Sequence, residues 1–105
     1  MIKFAKTKEY KGGFKRGEHE TKPRFGLIPY KPLEKVAIHY TLGGIKYGFN
    51  NWRKAQDEDI EGMKESALRH ILAWYNGCND EDHFSATIWN MFNYEELNEK
   101  KKNDN

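Results

Sequence analysis

Apolar residues recur at helical spacing in three stretches of the chain. In the first stretch, positions i, i+3, i+4 and i+7 are apolar, and they are occupied by Leu33, Val36, Ala37 and Tyr40. Residues that precede a proline avoid the helical region, so the proline-rich segment that leads to Pro32 is expected to be extended. Pro32 itself suits the first turn of a helix. The pattern therefore predicts a short helix that begins at Pro32 and ends at Gly43-Gly44.

The second apolar stripe lies between a group of acidic residues and a glycine. Its members are Ile60, Met63, Ala67, Ile71 and Trp74. Short carboxylates cap the free N–H groups at a helix start, so this helix is expected to begin near Asp57 or Asp59. Gly77 is a suitable residue for its end. The stripe predicts a second helix of about four turns.

The third stripe follows the loop at Cys78 and Asn79. Its apolar positions include Phe84, Ile88, Met91 and Phe92. Asp80 is expected to cap this helix, which is predicted to run to about Glu99. No stretch shows convincing strand alternation, so the predicted fold is all-α, with three helices and an N-terminal arm. We assign residues 1–20 to an extended or flexible basic arm, 21–99 to one helical domain and 100–105 to a disordered tail.

Composition limits what such a chain does. With 105 residues it forms one small domain, and only 37% of its residues are hydrophobic, at a mean hydropathy of -1.00. A chain of this size and composition buries only a small hydrophobic core of its own, so a homo-oligomer is the expected state. No apolar run approaches the about 18–20 residues that span a bilayer, so no membrane partner is expected. The single cysteine, Cys78, excludes an intramolecular disulfide, and a reducing cytoplasm is the expected location, that of the host if the protein is viral.

Charge is divided unevenly along the chain. Residues 1–54 hold 13 basic and 4 acidic side chains, whereas residues 55–105 hold 5 basic and 12 acidic ones. One interpretation is that the basic half binds phosphates and the acidic half binds a cation. The other is that the two halves simply attract each other in the fold. The arm also interleaves Phe4, Tyr10 and Phe14 with lysines, which suits either packing on a neighbouring subunit or binding of single-stranded nucleic acid. We favour the subunit contact, so nucleic acid is not an expected partner.

Candidate chemistry is concentrated at the start of the third helix. Asp80, Glu81, Asp82 and His83 are consecutive, and carboxylate oxygens suit Mg²⁺ or Mn²⁺, although acidic residues at a helix start also complement its dipole. A polar stripe then continues along this helix through His83, Thr87, Asn90 and Tyr94. Directional hydrogen-bonding groups of this kind favour a pocket wall over a solvated face.

The second helix places Glu65, Arg69 and His70 within two turns. Glu65 and Arg69 have the spacing of a surface ion pair, and His70 borders the apolar stripe, where a histidine is either a core residue or a ligand. We keep all three as candidates for the same pocket.

Four blocks of the chain together resemble the dATP/dGTP diphosphohydrolase family, which is widespread in bacteriophages. These blocks are Lys22–Pro29, Gly44–Trp52, Ala67–Trp74 and Asp80–Asn90. The resemblance covers about residues 21–97, in the same order and at similar spacing. The family is similar in character to all-α nucleoside triphosphate pyrophosphohydrolases of the MazG type. It implies hydrolysis of a purine deoxynucleoside triphosphate to the monophosphate and pyrophosphate, with Mg²⁺ or Mn²⁺.

The resemblance also implies functional residues by position. Those that match its motifs are Lys22, Arg24, Lys46, Tyr47, Asn51, Trp52, Arg69, His70, Asp80, Asp82, His83 and Asn90. The chemistry of the reaction adds Arg53, Glu65 and Glu81 as neighbours of the same types.

Each group of these residues has an expected role. The metal ligands are Asp80, Glu81 and Asp82, with Glu65 as a further carboxylate across the helix pair. The triphosphate contacts are Lys22, Arg24, Lys46 and Arg53, with Arg69 as a further substrate contact. The base is expected to stack on Tyr47 or Trp52 and to be read by Asn51 or Asn90. His70 or His83 orients or deprotonates the attacking water.

A second interpretation remains open. MazG-type enzymes typically carry two carboxylate pairs, E-x-x-E and E-x-x-D. In this chain Glu58 and Glu61 have the spacing of the first pair, but no glutamate precedes Asp82 by three residues. A protein that binds a nucleotide or a nucleotide-derived signal without turnover would need the same pocket but not the same catalytic groups. Enzyme and binding protein differ in whether the ligand is returned intact.

Overall fold

The computed structural model describes residues 12–13 and 22–103, together with the backbone of residues 7–9 and 15–17. Contacts divide the chain into two units, Met1–Tyr30 and Lys31–Asn105. Three long helices dominate the described residues: α1 (Tyr30–Tyr47), α2 (Asp57–Tyr75) and α3 (His83–Asn103). The all-α prediction is confirmed. The segment with Lys22 and Arg24, assigned from sequence to the helical domain, is part of the first unit.

The first unit contains a short antiparallel hairpin. Strand β1 (Thr7–Glu9) pairs with β2 (Lys15–Gly17), with Lys8 opposite Arg16. The connection includes Gly12 and Gly13, whose positive φ angles of 90° and 84° suit glycine. Three-residue strands are too short to show an alternating pattern, which is why the sequence indicated only an extended arm. Phe4, Tyr10 and Phe14 lie outside the described residues.

Helix α1 is longer than predicted at both ends. It begins at Tyr30, because a proline two residues later is tolerated where helical N–H groups have no partner. The predicted end at Gly43-Gly44 is wrong: the helix runs through both residues and stops at Gly48, whose φ is 106°. Gly44 has a packing reason for lacking a side chain. A Cβ at this position would lie 2.7 Å from Cε1 of Phe49.

Helix α2 begins where its acidic first turn indicates. Its first residue is Asp57, and the backbone N–H of Gln56 donates to Oδ2 of Asp59 at 3.0 Å. The helix ends at Tyr75, and Gly77 follows with a φ of 76°. Both predicted boundaries of this helix are confirmed to within about two residues.

Helix α3 is capped by Asp82 and not by Asp80 as predicted. Oδ1 of Asp82 accepts the backbone N–H of Ser85 at 3.1 Å, and Oδ2 accepts the Ser85 hydroxyl at 2.6 Å. The helix also continues beyond the predicted end at Glu99 to Asn103. The last turn therefore includes residues 100–103 of the predicted tail, whose lysines favour a helical C-terminus because they complement its dipole.

The apolar core lies between α2 and α3. Ile60, Met63 and Leu97 are buried against one another, and the partly buried side chains packed on them are Trp52, Ala55 and Tyr94. The predicted stripe on α2 is buried only in its first half, since Ile71 and Trp74 are exposed. On α3 the predicted apolar positions Met91 and Phe92 are also exposed.

The buried face of α3 is instead largely polar. Ser85, Thr87, Asn90 and Asn93 are all buried. Local hydrogen bonds satisfy part of this surface, since the Thr87 hydroxyl donates to the carbonyl of His83 at 2.7 Å. Nδ2 of Asn93 is buried without a hydrogen-bond partner among the described residues. The polar stripe read from the sequence is thus an interior surface. It was predicted as a pocket wall, and Asn90 occupies such a position.

A tyrosine of α1 is bonded to the polar face of α3. The Tyr40 hydroxyl donates to Oδ1 of the fully buried Asn93 at 2.6 Å. Burial raises the pKa of Tyr40 to about 12, although the positive charge of Arg53 opposes the shift. The neutral phenol is therefore the form that the fold stabilises.

Replacing Tyr40 by phenylalanine is expected to lower the free energy of unfolding by about 1–3 kcal/mol, because the buried Asn93 carbonyl loses its donor. The folded protein holds the phenol proton more tightly than the unfolded chain, in which tyrosine titrates near pH 10. This contribution is therefore complete below pH 10 and lost as the pH rises through about 12. Denaturant titrations of both proteins from about pH 8 to pH 12 measure it, and a constant difference between them would contradict the assignment.

None of the described helices combines the length and the apolar character needed to cross a bilayer.

Candidate active site

A cavity of about 520 Å³ lies among α1, α2, α3 and the segment that joins α1 to α2. One part of its wall is aromatic and is formed by Tyr40, Tyr47, Phe49, Trp52 and Trp89. The wall is built by one face of α1, by the turn after Gly48 and by α3. Aromatic faces at this density suit a flat ligand ring, which gains both apolar contact and stacking.

Polar groups of the cavity come from two places. Asn51 lies in the 3₁₀ helix Asn51–Lys54, and Asn90 lies on α3. The Asn90 amide donates to the carbonyl of Ala86 at 2.8 Å, which fixes the side chain and leaves its carbonyl oxygen as the acceptor. Ser66, His70 and Glu81 also line the cavity. The cavity thus joins an aromatic wall to a group of ionisable side chains.

Two histidines meet at this edge of the cavity. Nδ1 of His70 on α2 lies 2.9 Å from Nδ1 of His83, the first residue of α3. Nε2 of His83 lies 2.7 Å from Oδ1 of Asp80, and Oε1 of Glu81 lies 3.7 Å from Nδ1 of His70. His83 is buried, whereas Glu81 is exposed. We call His70, Glu81 and His83 the histidine cluster.

The contact with Asp80 fixes the tautomer of His83. A carboxylate only accepts hydrogen bonds, so Nε2 of His83 carries the proton and donates it. In the neutral ring Nδ1 then holds a lone pair, and this atom faces Nδ1 of His70 at 2.9 Å. The hydrogen bond from His83 is the largest of the effects that hold the pKa of Asp80 below its usual value. Asp80 is therefore an anion that orients the ring.

The predicted metal ligands Asp80, Glu81 and Asp82 do not point to one place. Asp80 is bonded to His83, and Asp82 is occupied by the helix cap and lies 3.7 Å from Nζ of Lys35. Burial pushes the pKa of Asp82 upward, but hydrogen bonds from Ser85 and the charge of Lys35 hold it below its usual value. Among the described residues, the donor atoms that come within 4.8 Å of one another are those of the histidine cluster. Two imidazoles and a carboxylate fit a divalent ion, and Glu81 is the predicted ligand that belongs to this set.

A model of the N-terminal region of dATP/dGTP diphosphohydrolases matches residues 13–105. The chain belongs to this family. The resemblance inferred from the four sequence blocks is thereby confirmed. Comparisons with curated proteins and with solved structures gave no match.

The four family blocks contribute unequally to the cavity. His83 is not a lining residue, but it contacts His70, which is. The predicted site residues that line the cavity are Tyr47, Asn51, Trp52, His70, Glu81 and Asn90. They come from three of the blocks. The remaining block contains Lys22 and Arg24 and belongs to the first unit.

Other predicted residues are engaged elsewhere. Arg53 lies over the Trp52 ring at 4.3 Å and pairs with Glu96 at 3.4 Å, and the ammonium of Lys46 lies 5.0 Å from the Tyr47 ring centroid. Arg69 donates to the Ser66 hydroxyl at 2.9 Å. Glu65 is exposed on α2 and lies outside the histidine cluster. These residues are next to lining residues in the sequence, but their side chains do not line the cavity.

Several residues that line the cavity were not predicted from the sequence. His39, Phe49 and Trp89 received no role, and Tyr40 was assigned to the apolar face alone. The signal was the helical spacing of His39, Tyr40, Gly43, Gly44 and Tyr47. It was overlooked because the paired glycines were interpreted as a helix end. Trp89 lies three residues after Ala86, which also lines the cavity, so these two share one side of α3 at helical spacing.

Proposed function

We propose that this protein hydrolyses dATP or dGTP to the monophosphate and pyrophosphate with the help of a divalent metal ion. The observation that carries the proposal is the junction of the aromatic cavity with the histidine cluster, since His70 and Glu81 line the same space as Tyr47, Trp52 and Asn90. Family membership supports the reaction class. A ligand with a flat base at one end and phosphates at the other matches these two regions.

The base is placed against the aromatic wall. Tyr47 and Trp52 are the predicted stacking residues, and Trp89 extends the same wall. The fixed carbonyl oxygen of Asn90 accepts a hydrogen bond, and both purines carry N–H donors on their edges. Asn51 also lines the cavity and offers a further amide. This arrangement holds a purine by stacking and by one oriented acceptor.

The phosphates are placed toward the histidine cluster. No lysine or arginine is among the described residues that line the cavity. The charge of the phosphates would therefore be met at the cluster by the divalent cation, and Lys22, Arg24, Lys46 and Arg53 remain proposed contacts with the rest of the triphosphate. A divalent ion supplies charge neutralisation and a bound water of lowered pKa. His70 and Glu81 would orient the attacking water through the ion that they hold, and Glu65 and Arg69 stay as proposed neighbours on α2.

The test is incubation of the full chain with each nucleoside triphosphate and Mg²⁺ or Mn²⁺, followed by assay of pyrophosphate and identification of the nucleotide product. We expect monophosphate from dGTP or dATP, abolished by a chelator. A nucleotide that is bound tightly but released intact after heat denaturation would contradict the proposal and establish sequestration instead.

We also propose that the protein works as a homo-oligomer. Ile38, Leu42 and Ile45 lie along one side of α1 and are 50%, 61% and 70% exposed. Apolar side chains in such a row are covered in most soluble proteins. A second copy of the chain is the partner that we assign to this face, and sedimentation of the full chain measures its presence. The exposed free thiol of Cys78 is in keeping with a reducing compartment.

A further inference from the structure

We infer that His70, Glu81 and His83 form a metal site with two imidazole ligands and one carboxylate, and that it prefers a transition-metal ion such as Mn²⁺, Co²⁺ or Zn²⁺ to Mg²⁺. This inference deepens the proposed function, because it names the ligands and the class of the metal. It differs from the prediction of an all-carboxylate site at Asp80, Glu81 and Asp82, of which only Glu81 is retained.

The distances among the donor atoms carry the first step. The two Nδ1 atoms are 2.9 Å apart, and Oε1 of Glu81 is 3.7 Å from Nδ1 of His70. Nitrogen ligands lie about 2.0–2.1 Å from zinc, so two ligands of one ion are about 2.9 Å apart at a right angle and about 3.4 Å apart in a tetrahedron. The cluster thus holds its donors close to the spacing that a single ion requires, and only small side-chain adjustments are needed.

The orientation of His83 carries the second step. Its Nε2–H donates to Asp80 at 2.7 Å, so the lone pair of the neutral ring is on Nδ1, the atom that faces the cluster. Metal-bound histidines commonly donate their other nitrogen to a carboxylate in this way, which fixes the tautomer and raises the basicity of the ligand. Asp80 is therefore a positioning residue for the metal and not a ligand.

The backbone makes the cluster rigid. His70 lies within α2, and His83 is the first residue of α3, where the Asp82 cap fixes the helix start. Only the exposed Glu81 lies outside a helix. Three protein ligands would leave positions for water and for a phosphate oxygen, as open metal sites require.

The choice of metal follows from the donor types. Mg²⁺ prefers oxygen ligands in near-ideal octahedral geometry and loses its water reluctantly. Imidazole nitrogen favours later first-row ions, with affinity rising from Mn²⁺ through Co²⁺, and Zn²⁺ is also well suited. Two nitrogens out of three protein ligands therefore favour this class of ion.

The inference is tested by metal binding without nucleotide. Metal-free full-length protein is titrated with Co²⁺ by visible absorption, and with Zn²⁺, Mn²⁺ and Mg²⁺ by calorimetry. We expect Mg²⁺ to bind more weakly than each of the others. Glu81→Gln, at an exposed position, and His70→Ala should each weaken Co²⁺ binding at least about tenfold and change the Co²⁺ spectrum, and Asp80→Ala should weaken it about 10–100-fold.

One control variant matches these changes. Glu61→Gln removes an exposed carboxylate of α2 that does not belong to the cluster. It should retain the wild-type affinity and spectrum. Mg²⁺ binding as tight as that of Co²⁺, or unchanged Co²⁺ binding in Glu81→Gln and His70→Ala, would overturn the inference. The metal titration contains no nucleotide, so its result does not depend on hydrolysis. If the protein binds the metal ion as expected but does not hydrolyse nucleotide in the separate assay, only the proposed function is contradicted.

Discussion

His70→Ala is expected to lower kcat/KM for the proposed hydrolysis of dGTP or dATP by about 10²–10⁴-fold, the usual contribution of a side chain that positions the reacting water for proton transfer. His70 is the residue that joins the two parts of the site. It lines the cavity, and its Nδ1 lies 2.9 Å from His83 and 3.7 Å from Glu81. Loss of its imidazole removes a partner from both neighbours at once.

Steady-state kinetics on the purified variant measures this effect. A role at the reacting phosphate lowers kcat, whereas a role in ground-state binding alone raises KM and leaves kcat unchanged. Glu61→Gln, which alters an exposed side chain on the same helix, is the matched control and should keep the wild-type kcat. A His70→Ala enzyme within about threefold of wild type would exclude this histidine from the reaction.

The largest effect on stability is expected from Leu97→Ala, which should lower the free energy of unfolding by about 2–5 kcal/mol. Leu97 is 7% exposed and is one of the three side chains that join α2 to α3. Truncation removes buried methyl groups and leaves a cavity beside Ile60 and Met63. Total stability is about 5–15 kcal/mol for most domains, so a large part of it depends on this residue.

Denaturant unfolding at a fixed protein concentration measures the loss, because oligomerisation makes stability depend on concentration. Leu27→Ala makes the same chemical change at a side chain that is 71% exposed, and it should cost less than about 0.5 kcal/mol. Equal losses in the two variants would show that the α2–α3 contact is not the main source of stability.

The number and order of the helices follow from local signals in the sequence. The acidic turn at Asp57 and the glycine at Gly77 mark α2 because caps act within a few residues of a helix end. The failure at Gly43-Gly44 has a non-local cause. Glycine is a poor helix former, but Gly44 makes room for the Phe49 ring, and packing of this kind cannot be read from propensity.

The site was predictable in its residue types but not in its partners. His70, Glu81 and Asn90 were candidates from their chemistry, and all three line the cavity. Which carboxylates can join a metal site depends on whether other groups already bind them. Asp82 is taken by the cap of α3 and Asp80 by His83, and these local hydrogen bonds decide the cluster. The polar interior of α3 was likewise visible as a stripe, but only the fold shows that Asn93 is buried.

The two parts of the site differ in how far apart their residues lie along the chain. His70 and His83 are 13 residues apart, whereas Tyr40 and Asn93, which join α1 to α3, are 53 residues apart. Closing the longer loop costs about 1.2 kcal/mol more in chain entropy, and local contacts form first in most small proteins. During folding the histidine cluster is therefore expected to assemble with the α2–α3 hairpin, before α1 docks and closes the cavity around it. A folding chain would then assemble its proposed metal ligands before its proposed substrate pocket.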